Sequence, residues 1–170
     1  MATQRATLAV TGHMDLTPES VPLVRTALDR LLAPYAGPEL TGVSCLAAGA
    51  DSVFAEAVLA AGGRLVAVVP SRDYRAAKVG PGHAARFDRL LGAAAEVEVM
   101  DHATADRRAY ETANRALLRR AQRLVAVWNG EPPTGRGGGT ADTVLEARAL
   151  GIPVDVVWPP GAARAQPPAR

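Results

Sequence analysis

Apolar residues recur along the chain in two rhythms. Short runs rich in β-branched residues at 7–11, 40–46, 64–70, 97–100, 124–128 and 153–158 read as strands, with longer Ala- and Leu-rich stretches between them. Val24, Ala27, Leu28, Leu31 and Leu32 form an apolar stripe at helical spacing, with Ser20 placed as its cap and Pro22 in the first turn. A second helix is predicted over 51–61 on the stripe Phe54, Ala57, Val58 and Ala61, ending at Gly62 and Gly63. Further helices are predicted over 84–91, 106–121 and 141–150. Strands alternating with helices are the pattern of βαβ units. The expected class is therefore α/β, in three α/β/α layers around a mainly parallel sheet of about six or seven strands.

At 170 residues the chain suits a single domain, expected over 1–160. The stretch 161–170 has no period and is expected to be a disordered tail that buries nothing. With 48% hydrophobic residues the body has enough apolar surface to offset the entropy of ordering, and with 4% aromatics its core must be built from Ala, Val and Leu. The net charge is +2, and Arg164 and Arg170 in the tail account for the excess. Such a body draws no polyanion by bulk electrostatics, and few aromatics are available to stack bases, so a nucleic-acid partner is not expected. Lys78 is the one lysine, which leaves planar, bidentate arginines to recognise anions.

Cys45, the single cysteine, forbids an internal disulfide and a multi-cysteine metal site, and reads as a small buried hydrophobe. Three scattered histidines give no zinc pattern, so no metal and no cofactor is implied. No apolar run is long enough for a signal peptide or a membrane span, so no membrane partner is expected and a cytoplasmic location is. Ala-rich faces at 93–95 and 109–116 are available to a second copy, which would make a homodimer.

Position carries the functional signal. Thr11-Gly12-His13, Ala48-Gly49-Ala50-Asp51, Ser71-Arg72-Asp73-Tyr74 and residues 129–140 each follow a predicted strand, and in a parallel sheet all strand C-termini share one edge. Open α/β sheets bind ligands at that edge. Gly135-Arg136-Gly137-Gly138-Gly139-Thr140 precedes a predicted helix, where bare amides and the positive end of the helix dipole favour an anion. A phosphate fits there. Gly137, Gly138, Gly139 and Thr140 would hold it, although a plain loop with Thr140 as N-cap reads the same way.

Asp142 in the first turn would reach a ribose hydroxyl or complement the dipole. The facing wall would be Thr11, Gly12, His13, Gly49 and Asp51, with Arg72 closing over the anion. His13 suits a proton shuttle or a loop hydrogen bond, and Asp51 a ribose contact or an N-cap. His83 and His102 read as solvated loop residues, and Arg119, Arg120 and Arg123 as a solvated face. The chain lacks a Gly-x-x-x-x-Gly-Lys-Ser/Thr loop, a three-glycine dinucleotide fingerprint and a Gly-x-Ser-x-Gly elbow. ATPase, dehydrogenase and serine hydrolase readings weaken accordingly.

Taken in order, these segments resemble one superfamily. Ser44-Cys45-Leu46-Ala47-Ala48-Gly49-Ala50-Asp51 resembles the Ser-Gly-x-Ala-x-Gly-x-Asp segment of the DNA-processing protein A (Smf) domain. Gly137-Gly138-Gly139-Thr140 resembles the Pro-Gly-Gly-x-Gly-Thr-x-x-Glu motif of Lonely Guy phosphoribohydrolases. Both belong to the SLOG superfamily. The resemblance implies a Rossmann-like domain that binds a nucleotide or nucleotide-like small molecule, as a sensor or as an enzyme of unassigned reaction. An alternative it implies is cleavage of nucleoside 5′-monophosphates to base and ribose 5-phosphate; another is single-stranded DNA binding. The phosphoribohydrolase motif places Glu three residues after its Gly-Thr, whereas this chain has Thr143 there, leaving Asp142 and Glu146, with His13, as candidates for catalysis.

Overall fold

A computed structural model describes residues 5–135 and 139–165. Six strands form one sheet: β1 (Ala6–Gly12), β2 (Leu40–Ser44), β3 (Arg64–Val69), β4 (Glu96–Val99), β5 (Arg123–Val127) and β6 (Val154–Val157). All five pairings are parallel, in the order β4-β3-β2-β1-β5-β6. Parallel neighbours need crossovers, and helices supply them: α1 (Ser20–Leu32), α2 (Ala50–Ala60), α3 (Tyr74–Lys78), α4 (Pro81–Ala93), α5 (Arg107–Arg120) and α6 (Thr140–Ala149). The chain builds outward from β1 on one side, then crosses to the other side for β5 and β6. The α/β class, the parallel sheet and the three layers expected from the sequence are all present.

Strand alternation divides the core. Leu8 and Val10 turn to one face, against Val24, Leu28 and Leu32 of α1 and Phe54 and Val58 of α2. Ala9, Val43, Val66, Val68, Leu124 and Ala126 turn to the other, against Ala113, Ala116 and Leu117 of α5 and Val144 and Ala147 of α6. A third cluster seats Tyr74, Phe87 and Leu90 on Leu65, Ala67 and Val69 of β3. The face 109–116, offered above to a second copy, is spent here: Ala109, Ala113 and Ala116 are buried within the chain's own fold.

Several expectations are corrected. Ser20 is not a cap but the first residue of α1, and its buried hydroxyl meets Thr17 Oγ1 at 2.6 Å and donates to the Ala163 carbonyl at 3.2 Å. Residues 161–165, expected to bury nothing, lie back across the loop after β1: Thr17 N–H donates to Ala163, Ala165 N–H to Asp15, and Arg164 pairs with Asp15 at 2.8 Å. Amides paired with another segment hold a stretch that its composition alone leaves loose. Residues 166–170 lie outside the described residues.

Arg120 and Arg123 are not a solvated face. Arg120 bonds both Glu96 and Glu98 and so clamps α5 to the edge strand β4, while Arg123 is bidentate to Asp155 on β6. Among the described residues no helix is long and apolar enough to cross a membrane.

Candidate functional site

The strand order reverses at β1, whose neighbours β2 and β5 lead to helices on opposite faces. The C-terminal ends of such strands part and leave a crevice. A cavity of about 550 Å³ occupies it, within the range of small-molecule sites. Thr11, Gly12, His13, Asp51, Gly139, Thr140 and Asp142 all line it, so residues from three separate segments meet as the sequence analysis placed them.

The wall at β1 depends on close packing. A Cβ on Gly12 would stand 2.5 Å from the Ala50 Cβ and 2.8 Å from that of Val127, so only glycine lets β1, β5 and the start of α2 meet. His13 is buried; its N–H donates to Val127, and its ring stands edge-on to Trp158 at 5.6 Å. His13 Nε2 stands 3.2 Å from both the Asn129 backbone N–H and the Asn129 side-chain Oδ1, so the ring accepts from the first or donates to the second according to its tautomer. Burial, with Arg164 nearby, holds the imidazole below its ordinary range against the opposing influence of Asn129, Asp15 and Glu131. An NMR titration of His13 should give a midpoint below 6.5. The folding stability it contributes is present above its unfolded-state value and is lost as pH falls through the folded one. A midpoint above the ordinary value would contradict the neutral, buried ring.

Asp51 is held by the turn between β2 and α2. Ser44 Oγ donates to the Asp51 carbonyl at 3.0 Å and accepts from Leu46 N–H, and Ser52 Oγ donates to Ala47 at 2.7 Å. Leu46 is a buried non-glycine residue at φ +58°, a strained conformation of the kind that gathers at functional sites. The N-cap reading of Asp51 does not hold: Gly49 is the N-cap of α2, and the Asp51 carboxylate instead accepts from Ala47 N–H at 3.3 Å. Burial pushes its titration up to about 7. Beside it in the lining stand Cys45, Tyr74 and Tyr110, all three raised chiefly by burial and so neutral near pH 7.

At the opposite wall α6 begins. Asp142 accepts from Gly139 N–H at 3.2 Å and so caps the helix, the dipole-complementing alternative among its two readings. The first-turn amides of Thr140 and Ala141 have no carbonyl one turn back to bond. Gly137 and Gly138 lie outside the described residues.

Other expected residues fall elsewhere. Gly49 does not line the cavity; its backbone packs on the His13 and Met14 carbonyls. Arg72 is paired with Asp101 at 2.9 Å, and Glu146 is outside the lining. His83 is not a solvated loop residue: it lies in α4, half-buried, with Nε2 3.0 Å from the Leu46 carbonyl. His102 is likewise half-buried, with Nε2 2.9 Å from Thr112 Oγ1. Among the described residues no group of three or more His, Cys, Asp or Glu is placed to hold a metal ion. The lining also contains Lys78, Tyr110, Asn114 and Arg164, none of which the sequence places at the rim. Tyr110 and Asn114 were detectable as an i,i+4 pair on one helix face.

No protein-family model matches the chain, and no curated protein matches it. Solved structures do. DNA processing protein A (DprA) of Streptococcus pneumoniae aligns with a TM-score of 0.63 at 18% identity, over 89% of this chain and 50% of that one. DNA processing protein A of Helicobacter pylori, whose structure describes a single-stranded DNA binding mode, aligns at 0.66 and 16%, over 95% and 69%. The Moco carrier protein of Chlamydomonas rheinhardtii aligns at 0.52 and 17%, over 90% and 76%. This chain thus spans half the length of the pneumococcal protein. The likeness shows a shared fold.

Proposed function

We propose, from the fold held in common with DNA processing protein A and the Moco carrier protein, that the chain binds a nucleotide or nucleotide-derived phosphate ligand at the C-terminal rim of the sheet. The observation that carries this reading is the cavity at the β1/β5 parting, which takes in residues 11–13, Asp51 and the start of α6. The phosphate sits at the first-turn amides of Thr140 and Ala141, which have no intrahelical partner. The rest of the ligand lies along Tyr74, Tyr110 and Trp128, which supply apolar area. Lys78 and Arg164 are the cations of the lining. No reaction is assigned: Asp142 lines the cavity but already accepts the Gly139 N–H as a cap, and Glu146 stands outside the lining.

A thermal-shift screen with AMP, ADP, GMP, NAD, ribose 5-phosphate and the parent nucleosides tests the reading. A ligand at a hundred times its Kd stabilises by about 2.7 kcal/mol, which for a domain of this size is a rise on the order of 5–10 °C. The 5′-phosphorylated compounds should give that rise and the nucleosides much less; a flat panel would overturn the proposal. Chromatography of the same mixtures for free base reports any turnover. The DNA processing protein A likeness favours a second reading, single-stranded DNA. Two cations in the lining among the described residues are few for a backbone-tracking groove, and a rise in anisotropy of labelled oligo-dT at physiological salt would nonetheless establish it.

A further inference from the structure

The cavity contains an acid with no counter-ion among the described residues. Asp51 is 9% exposed, lines the cavity, and takes part in none of the ion pairs formed among the described residues. Its Oδ2 accepts the Ala47 amide, and that contact is the one influence offsetting burial. Around it stand Cys45 from the end of β2, Tyr74 and Lys78 from α3, His83 from α4 on the Leu46 carbonyl, Tyr110 from α5 and His13 from the end of β1. Cys45 and Tyr74 are themselves pushed up partly by Asp51, so they present protonated, uncharged faces to it.

Resting on the nucleotide reading, we infer that Asp51 recognises the base end of the ligand as a neutral carboxyl, donating its Oδ1 proton to a ring nitrogen or carbonyl of an uncharged heterocycle. The Ala47 N–H fixes Oδ2 as an acceptor, which places the proton on Oδ1. Burial already brings the acid to about 7. A flat, uncharged ring entering the cavity displaces the remaining water and favours the neutral form further. Spacing agrees. Asp51 follows β2 and α6 follows β5, with β1 between them, so the two ends of the site are two strand spacings apart, roughly 10 Å, the reach of a nucleotide from phosphate to base.

Calorimetric titration with AMP, on the wild type and Asp51→Asn, tests this at about pH 6 and about pH 8.5. Wild-type affinity should fall roughly 30-fold across the interval as the acid loses its proton. Asparagine keeps the acceptor and donates an N–H at any pH, so the variant should bind at the higher pH as tightly as the wild type does at the lower. The AMP phosphate gains charge equally in both proteins, so their difference isolates the acid. Wild-type affinity that is flat or rises with pH would overturn the inference, the rise identifying a cationic partner for the carboxylate, while leaving nucleotide binding intact. Loss of AMP binding in the variant at the lower pH would overturn it too. Absence of saturable AMP binding in both proteins would overturn it together with mononucleotide binding at this site.

Discussion

Asp51→Asn is expected to stabilise the protein at pH 8 and to change little at pH 4. The acid titrates near 7 in the folded chain and near 3.9 when unfolded, so the unfolded state releases its proton first as pH rises. Stability associated with Asp51 is therefore complete below about pH 4 and declines through the interval up to 7. The difference of about three pH units corresponds to about 4 kcal/mol, an upper limit because local relaxation and water entry soften the cost of a buried charge. Asparagine has the same shape and no charge to bury, and it preserves the contact with Ala47 N–H. In a domain of this size the gain at pH 8 amounts to a rise in Tm on the order of 10 °C. Parallel melts of the two proteins at both pH values check it. Equal melting temperatures at pH 8 would mean that Asp51 is ionised at little cost, which removes the basis for reading it as a proton donor.

The arrangement of the sheet was legible in the chain because its strands are buried on both faces. Residues 64–69 and 123–127 are nearly continuous apolar runs, as parallel strands covered by helices on both faces must be. α3 was not legible. Five residues, Tyr74–Lys78, give no stripe, and its single anchor is Tyr74 on the third core cluster. The start of α4 was missed for another reason: Pro81 and Gly82 read as a loop, although proline is favoured at the first helical position.

For the candidate site, parallel strands alone predicted which segments converge, because all strand C-termini share an edge. What each side chain does there was not predictable. His83, His102, Arg72 and Arg120 are polar residues in polar stretches, and each is taken up by a partner in another element or loop, 10 to 37 positions away: Leu46, Thr112, Asp101, and Glu96 with Glu98. Such partners are set by tertiary approach, which composition does not encode. The 161–165 strap shows the same limit, since its Ala165 N–H donates to the Asp15 carbonyl and its Ala163 carbonyl accepts from Thr17 N–H, some 150 positions earlier and roughly the whole length of the fold. Asp51 illustrates the converse. Its place on the rim was predictable, but its missing counter-ion follows only from what surrounds it.

Gly49→Ala is expected to cost about 4 kcal/mol and to weaken ligand binding in whatever protein remains folded. Gly49 sits at φ +78°, ψ −129°, a region open essentially to glycine alone, so any side chain carries a backbone penalty of about 1–3 kcal/mol. Space adds to it. A Cβ there would lie 2.6 Å from the carbonyl oxygens of both His13 and Met14. The His13 oxygen cannot simply withdraw, because it accepts the Ala50 N–H that starts α2. Relief therefore requires the loop after β1 to part from α2, at an overpacking cost of about 1–3 kcal/mol. That movement carries His13 away from Asn129 and opens the cavity wall between His13 and Asp51. Gly92→Ala in α4 is the control: nothing stands within 4 Å of its Cβ, and alanine in a helix should be neutral or slightly stabilising. Urea denaturation of the three proteins measures both effects. A Gly49→Ala variant within 1 kcal/mol of the wild type would show that the contact between the β1 loop and α2 yields easily, and with it the rigid wall on which the site depends.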